Sequence, residues 1–185
     1  MNYVDLTEKR LTGELIYDGQ IVHLWRDEVC LPDGKCAVRE VVRHIGAVAI
    51  VPLTSAGEVL CVEQYRYPFA RVLLEIPAGK LDSPDEVPEE AAWRELREET
   101  GAVGGRLVPL GDLYPSVGIC DEVIHMYAAV GFDLGSTDPD DDEFLRTRPV
   151  ALGTLVDMIM NGEVTDAKTQ AAVLKTARLR DMGKL

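Results

Sequence analysis

The chain has 185 residues, the length of one ordinary domain with at most a small appended element, and can bury a core without disulfides or a structural metal. Its 19 basic and 32 acidic residues leave a net charge of −13, a poor surface for nucleic acid, whose phosphates require clustered lysine and arginine. The start, Met-Asn-Tyr-Val-Asp, has no basic stretch ahead of an apolar run, and no apolar stretch reaches roughly 18 residues, so neither a secretory signal nor a membrane span is expected.

In chain order, residues 14–17 and 20–30 read as strands joined by Asp18-Gly19, a two-residue hairpin signal. The turn Leu31-Pro32-Asp33-Gly34 leads into a strand over 35–43, where valines alternate with charged residues. Residues 46–53 are nearly all apolar and predict a central strand buried on both faces. Ser55-Ala56-Gly57 turns the chain into a further strand over 58–64. Residues 88–100 have helical spacing, with Ala92, Leu96 and Trp93 on the inward side and Gly101 as terminator. Strands resume over 107–114 and 122–132, followed by an exposed acidic loop at 138–143. Two helices close the chain, over 152–161 and 166–181, the second with Ala167, Ala171, Leu174 and Ala177 on one stripe. A β-rich chain with helices grouped at the sides predicts an α+β sandwich: an N-terminal antiparallel strand region at 1–44, then a mixed sheet flanked by helices at 45–185. The four cysteines, Cys30, Cys36, Cys61 and Cys120, form no C-x-x-C pair and read as reduced thiols of a cytoplasmic protein.

The segment from Gly79 to Ala102, GKLDSPDEVPEEAAWRELREETGA, carries the chemistry. Glu95, Glu98 and Glu99 are three and four positions apart and project from one helix face, where like charges cost about a few tenths of a kcal/mol per pair. Such a face is either a solvated surface or a rigid platform for divalent metals, which take several hard oxygen ligands. Arg94 and Arg97 alternate with the acids and can orient them.

The same segment resembles the Nudix box: a glycine, five residues, Glu, seven residues, then Arg-Glu-aliphatic-x-Glu-Glu-x-Gly-aliphatic. Gly79 opens it, Glu86 supplies the first acid, and Arg94 to Ala102 match the second half. Six residues rather than five separate Gly79 from Glu86, so Asp85 stands at the unlengthened spacing, and Ala102 is a minimal final aliphatic. Outside the box, the stretches Arg39-Glu-Val-Val-Arg-His44, Gln64-Tyr-Arg-Tyr-Pro68, Leu74-Glu-Ile-Pro-Ala-Gly79, Tyr114-Pro-Ser-Val-Gly118 and Asp166-Ala-Lys-Thr169 look like the ADP-ribose pyrophosphatase subgroup of that family.

The resemblance implies a Nudix fold and metal-dependent hydrolysis of ADP-ribose to AMP and ribose 5-phosphate, with Mg²⁺ (or Mn²⁺) as cofactor. Glu95, Glu98, Glu99 and the Ala78 carbonyl would be the metal ligands, and Arg94 would hold the glutamates. Glu98 and Glu99 count as catalytic through that metal, and Glu143 on the late acidic loop is the candidate to activate water or bind metal. Gly79, Glu86 and Gly101 would fix the loop–helix geometry. Trp25, Arg43, Arg66 and Leu81 are the candidate substrate contacts, through adenine stacking and phosphate or ribose binding, with packing and ion pairing as the plain alternatives. Glu75 would bind an arginine or the ribose. A homodimer whose N-terminal strands complete the partner's pocket is also implied, with no nucleic acid or membrane partner. Two other readings stand beside this one: the same chemistry on another nucleoside diphosphate sugar, such as GDP-mannose or ADP-glucose, and a nucleotide-binding module without catalysis.

Overall fold

The computed structural model describes residues 5–138 and 144–185. The chain divides into two units, one formed by Met1–Ile45 with Tyr114–Val123 and one by Gly46–Leu113 with Ile124–Leu185. Residues 114–123 group with the first unit through backbone bonds: Val42 donates to the Ile119 carbonyl at 2.7 Å, and Asp121 donates back to Val42 at 3.2 Å.

The first unit is built on a three-stranded antiparallel sheet, β1 (Lys9–Asp18), β2 (His23–Cys30) and β3 (Cys36–Arg43), in that order. Asp18-Gly19 is not a two-residue turn. Asp18 pairs with His23 in the ladder, their side chains meet at 2.6 Å, and Gly19 donates to the Val22 carbonyl, so residues 19–22 form a longer loop. The β2–β3 turn is tighter, with Gly34 at φ 86°, where a residue with a side chain would be strained. Buried Asp27 gathers two arginines, with Arg10 at 3.0 Å and Arg43 at 2.9 Å.

The second unit begins with β4 (Ala47–Leu53) and β5 (Glu58–Arg66), a 3-10 turn at Tyr67–Phe69, β6 (Arg71–Glu75) and β7 (Ala78–Lys80). Helix α1 (Pro88–Thr100) follows, then β8 (Ala102–Val103), β9 (Arg106–Leu113), β10 (Ile124–Val130), β11 (Asp133–Leu134) and β12 (Leu145–Ala151). Helices α2 (Leu152–Met160) and α3 (Ala167–Asp181) close the chain. The main sheet runs β12-β5-β4-β10-β9, with β6 added to β5 and β7 to β4; β8 and β11 pair separately. Strand β4 is parallel to β10 and antiparallel to β5 and β7, so the sheet is mixed.

All seven residues of β4 are buried, and their alternation divides the core into two layers. Val48 and Ile50 pack with Ala91, Ala92 and Leu96 of α1. Ala49, Val51 and Leu53 pack with Leu155 and Ile159 of α2 and Ala172 and Val173 of α3. The expected sandwich of sheet and flanking helices is thus present, with α1 on one face and α2 and α3 on the other. Among the described residues, no helix is long and apolar enough to cross a membrane.

The inward face of the last helix differs from the expected one. The buried stripe of α3 is Thr169, Ala172, Val173 and Thr176, while Leu174 is exposed. The threonines are tolerated inside because their hydroxyls bond locally: Thr176 donates to the Ala172 carbonyl at 2.8 Å, and Thr169 donates to the Asp166 carboxylate at 2.5 Å. Residues 145–151, where the sequence predicts no element, form β12. It is an edge strand, where a proline is harmless, and Arg146 and Arg148 both grip Glu63 on β5.

Helix α1 starts with Pro88 in its first turn, where a missing N–H costs nothing, and Glu89 and Glu90 suit the helix dipole. It stops at Gly101, in a left-handed conformation with φ 73°. Leu96 is fully buried between α1 and the sheet. Leu96→Ala is expected to lower unfolding stability by about 2–5 kcal/mol, measured by urea titration. A loss below about 1 kcal/mol would contradict the tight seating of α1 on β4.

Candidate active site

Helix spacing puts Glu95 and Glu99 one turn apart on the face of α1 that packs inward, and both are buried, at 7% and 2% exposure. Glu98, one position from Glu99, is only half-buried. The Glu95 carboxylate lies directly against β7: a Cβ added to Gly79 would fall 2.0 Å from Glu95 Oε1. Glycine at 79 is therefore set by close approach rather than by an unusual dihedral. The register of β7 on β4, with Gly79 opposite Val48 and Ala78 opposite Ala49, fixes the strand that meets the helix.

Arg94 links these parts. Its Nη1 donates to Glu95 at 2.7 Å and to Glu98 at 3.4 Å, its Nη2 donates to the Lys80 carbonyl at 3.2 Å, and its Nε donates to Glu86 at 3.3 Å. Asp82 adds a carboxylate at 3.4 Å. Burial opposes the charge on Arg94, but hydrogen bonds to Glu86 and Glu95 outweigh it and raise the guanidinium's pKa above its ordinary value. Glu86 in turn accepts from the Asp82 amide at 2.6 Å. That bond, with Arg94 beside it, holds the Glu86 pKa below the usual carboxylate value. Despite the lengthened loop, the acid that reaches Arg94 from the far end of the box is thus Glu86.

The carbonyls at the end of α1 are also tied down. Thr147 on β12 donates to the Glu99 carbonyl at 3.1 Å, and the Asp138 amide donates to Glu98 at 3.0 Å. Gly101 has no room for a side chain, since a Cβ there would fall 2.5 Å from the Gly135 carbonyl oxygen.

A second buried charge, Glu75 at 2% exposure, lies at the end of β6, just ahead of Pro77-Ala78-Gly79. Arg66 grips it through Nε at 2.7 Å and Nη2 at 2.8 Å, and Lys168 on α3 donates to the same carboxylate. Burial pushes the Glu75 pKa up, yet Arg66 and Lys168 together bring it below the ordinary value. Arg66 is raised, first by its bonds to Glu75 and further by the charges of Asp166 and Glu99. Asp166 caps α3 by accepting from the Thr169 amide at 2.9 Å, and the Thr169 hydroxyl oxygen accepts from Ile76 N at 3.0 Å. In the sequence, Asp166-Ala-Lys-Thr169 is only a family-like string. Its task is to seat Glu75 and Ile76, a pairing across 93 positions that no local pattern shows.

The other candidates fall elsewhere. Leu81 is a core residue, 6% exposed and packed with Val48, Ile50 and Ala91. The chain turns inward there because Leu81 N bonds the Gly46 carbonyl at 3.1 Å. Trp25 and Arg43 belong to the first unit, where they line a cleft of about 500 Å³ with Arg10, Leu15, Asp18 and His23. Arg10 lies over the Trp25 ring at 5.7 Å, and Arg43 is held by Asp27 and by Asp121 at 3.0 Å. Glu143 lies outside the described residues.

The expected ligands, the carboxylates of Glu95, Glu98 and Glu99 on α1 and the backbone carbonyl of Ala78 on β7, are all hard oxygen donors, a chemistry that suits a divalent cation, and Glu95 lies against Gly79, the residue after Ala78. Among the described residues, no three His, Cys, Asp or Glu side chains already converge as a metal cage, and Arg94 bonds both Glu95 and Glu98.

Residues 43–169 match the family model described as NUDIX domain. The chain is 39% identical over 170 residues to an ADP-ribose pyrophosphatase of Bacillus subtilis (strain 168), covering 91% of each. It is 39% identical over 168 residues to a methanol dehydrogenase activator of Bacillus methanolicus, covering 90% of each. It is also 37% identical over 168 residues to an ADP-ribose pyrophosphatase of Mycobacterium tuberculosis (strain ATCC 25618 / H37Rv), covering 89% of this chain and 80% of that protein. The crystal structure of an ADP compounds hydrolase superposes with a TM-score of 0.84 over 96% of this chain and 97% of that one; at 22% identity it shows the shared fold. The matched segment contains β4, β7, α1 and the charged residues that join them, and the chain belongs to the Nudix hydrolase family.

Proposed function

We propose that this enzyme hydrolyses the pyrophosphate of ADP-ribose to AMP and ribose 5-phosphate with a divalent metal, Mg²⁺ or Mn²⁺. The observation that carries the reading is the burial of Glu95 and Glu99 on α1, with Glu95 pressed on the backbone at Gly79. Two carboxylates are costly to bury for stability alone, and hard-oxygen metal chemistry is what they suit. The relatives named ADP-ribose pyrophosphatase support the substrate.

Glu95, Glu98, Glu99 and the Ala78 carbonyl would hold the metal, which supplies charge neutralisation at the phosphate oxygens and a more acidic water. Arg94 keeps Glu95 and Glu98 oriented, and Glu86 keeps Arg94 in place. Arg66, rigid against Glu75, is the cation offered to phosphate or ribose. Trp25 and Arg43 are the candidate base and phosphate contacts of the first unit. Glu143 is the candidate to orient or deprotonate water.

The same reading includes a cytoplasmic homodimer. Support for the dimer comes from β1, a ten-residue edge strand exposed throughout, with Leu11, Leu15, Ile16 and Tyr17 open to solvent. The four free cysteines are compatible with a reducing compartment.

Purified protein is expected to release AMP and ribose 5-phosphate from ADP-ribose with Mg²⁺ and to stop when EDTA is added, followed by chromatography of the products. Activity confined to guanine nucleotides would overturn the ADP-ribose assignment, and EDTA-resistant turnover would overturn the metal. Glu99→Gln is expected to fold normally by circular dichroism and to lose about a hundredfold or more in kcat. Near-normal kcat in that variant contradicts the ligand role. Light scattering is expected to give the mass of a dimer at micromolar concentration; a monomer would sink the dimer proposal.

A further inference from the structure

Two of the four cysteines face each other. Cys30 ends β2, Cys36 opens β3, and the ladder pairs them directly. Between them, Leu31 N donates to the Lys35 carbonyl at 2.8 Å and Gly34 N to the Leu31 carbonyl at 2.9 Å, with Gly34 in the left-handed region. This is the three-residue hairpin loop that ends in a glycine bulge. Leu31 and Lys35 are its hydrogen-bonded closing pair. Antiparallel ladders alternate, so the next pair, Cys30 with Cys36, is a non-hydrogen-bonded one.

That position has chemical consequences. The Cα atoms of such a pair lie about 4.5 Å apart and their side chains share one face, within the range of about 4.4–6.8 Å that a disulfide spans. The face is the open one. On β2 it also carries exposed Arg26 and Glu28, and on β3 exposed Val38 and Glu40, whereas Asp27 and Val29 point the other way and are buried. Cys36 is exposed and Cys30 half-buried. Cys61 has the opposite character: it is fully buried, and burial pushes its thiol up to about 12.

We propose that Cys30 and Cys36 form a reversible thiol–disulfide site that reacts with low-molecular-weight disulfides. The thiolate of Cys36 attacks one sulfur of the small disulfide, forming a mixed disulfide and expelling one small thiolate. The thiolate of Cys30 then attacks the Cys36 sulfur of that mixed disulfide, closing the cross-strand bond and expelling the second. The two protein thiols lose two electrons and two protons, and the small disulfide is reduced to two thiols. No backbone rearrangement is needed, because the hairpin bonds already hold the strands in register. The site is independent of the substrate assigned above.

The test uses the full chain treated with oxidised glutathione, then alkylated, with intact-mass and peptide mapping. Free thiols in the denatured protein are expected to fall from four to two. Before alkylation the mass is expected to drop by two hydrogen atoms; a Cys30–Cys36 linked peptide is expected to appear, and a dithiol to reverse all three changes. Cys36→Ser and Cys30→Ser are each expected to retain a stable glutathione adduct on the remaining partner. Stable adducts on both residues of the wild-type chain without a link overturn the proposal. So does an unmodified Cys30–Cys36 pair, or an undiminished thiol loss without adduct in Cys36→Ser.

Discussion

Keeping two carboxylates buried on the inward face of a helix is the constraint on which the rest of the second unit depends. An isolated buried carboxylate would simply protonate or move outward. Here the helix is pinned from both sides. Its apolar residues Ala91, Ala92 and Leu96 lie on Val48 and Ile50 of the central strand, while its acid Glu95 rests on the bare backbone of Gly79. The apolar contact and the polar one share a helix turn, so neither can shift without the other. Arg94 supplies the compensating charge at Glu95 and, through the Lys80 carbonyl and Glu86, makes the strand, the loop and the helix one rigid piece.

A second ionic knot does a parallel task on the other side of the same short strand. Glu75 is satisfied by an arginine from β5 and a lysine from α3, and the Thr169 hydroxyl takes the Ile76 amide. Each knot pairs a buried charge with partners from distant elements, an arrangement that is costly to break because a remaining partner would be left uncompensated. Between them runs Ile76-Pro77-Ala78-Gly79, whose backbone is thereby held at both ends. The core layers supply stability, and the two knots supply the position of that backbone.

Legibility followed locality. Helix α1 was readable to its last residue because proline, periodic alanines and leucine, the acid pattern and the terminal glycine all lie within one segment. Strand β4 was equally clear, since burial on both faces leaves an unbroken apolar run. What the sequence hid depended on partners far along the chain. Strand β12 has no apolar run to mark it, and its charged residues make sense only once Glu63 is placed beside Arg146 and Arg148. Thr169 and Thr176 look like surface residues until their hydroxyls find backbone or carboxylate partners. Leu81 looks available because it follows the box glycine, but the bond to Gly46 folds it under the helix. At the site, the box assigns Glu86 to the loop–helix geometry without naming its partner, and neither Arg94 as that partner nor Lys168 as a partner of Glu75 is visible in the local pattern.

The excursion of residues 114–123 has a consequence for how such a chain can be remodelled. The polypeptide leaves the second unit after β9, bonds to Val42 in the first, and returns as β10 beside β4. The N-terminal sheet is therefore not a cassette that recombination could remove at a single junction. Cutting at 45 would strip Asp121 of Arg43 and His44 and leave the lead-in to a central strand without its backbone partners. Lineages that exchange or lose this sheet must rewrite the β9–β10 connection at the same time, so the two segments are expected to vary together over evolutionary time.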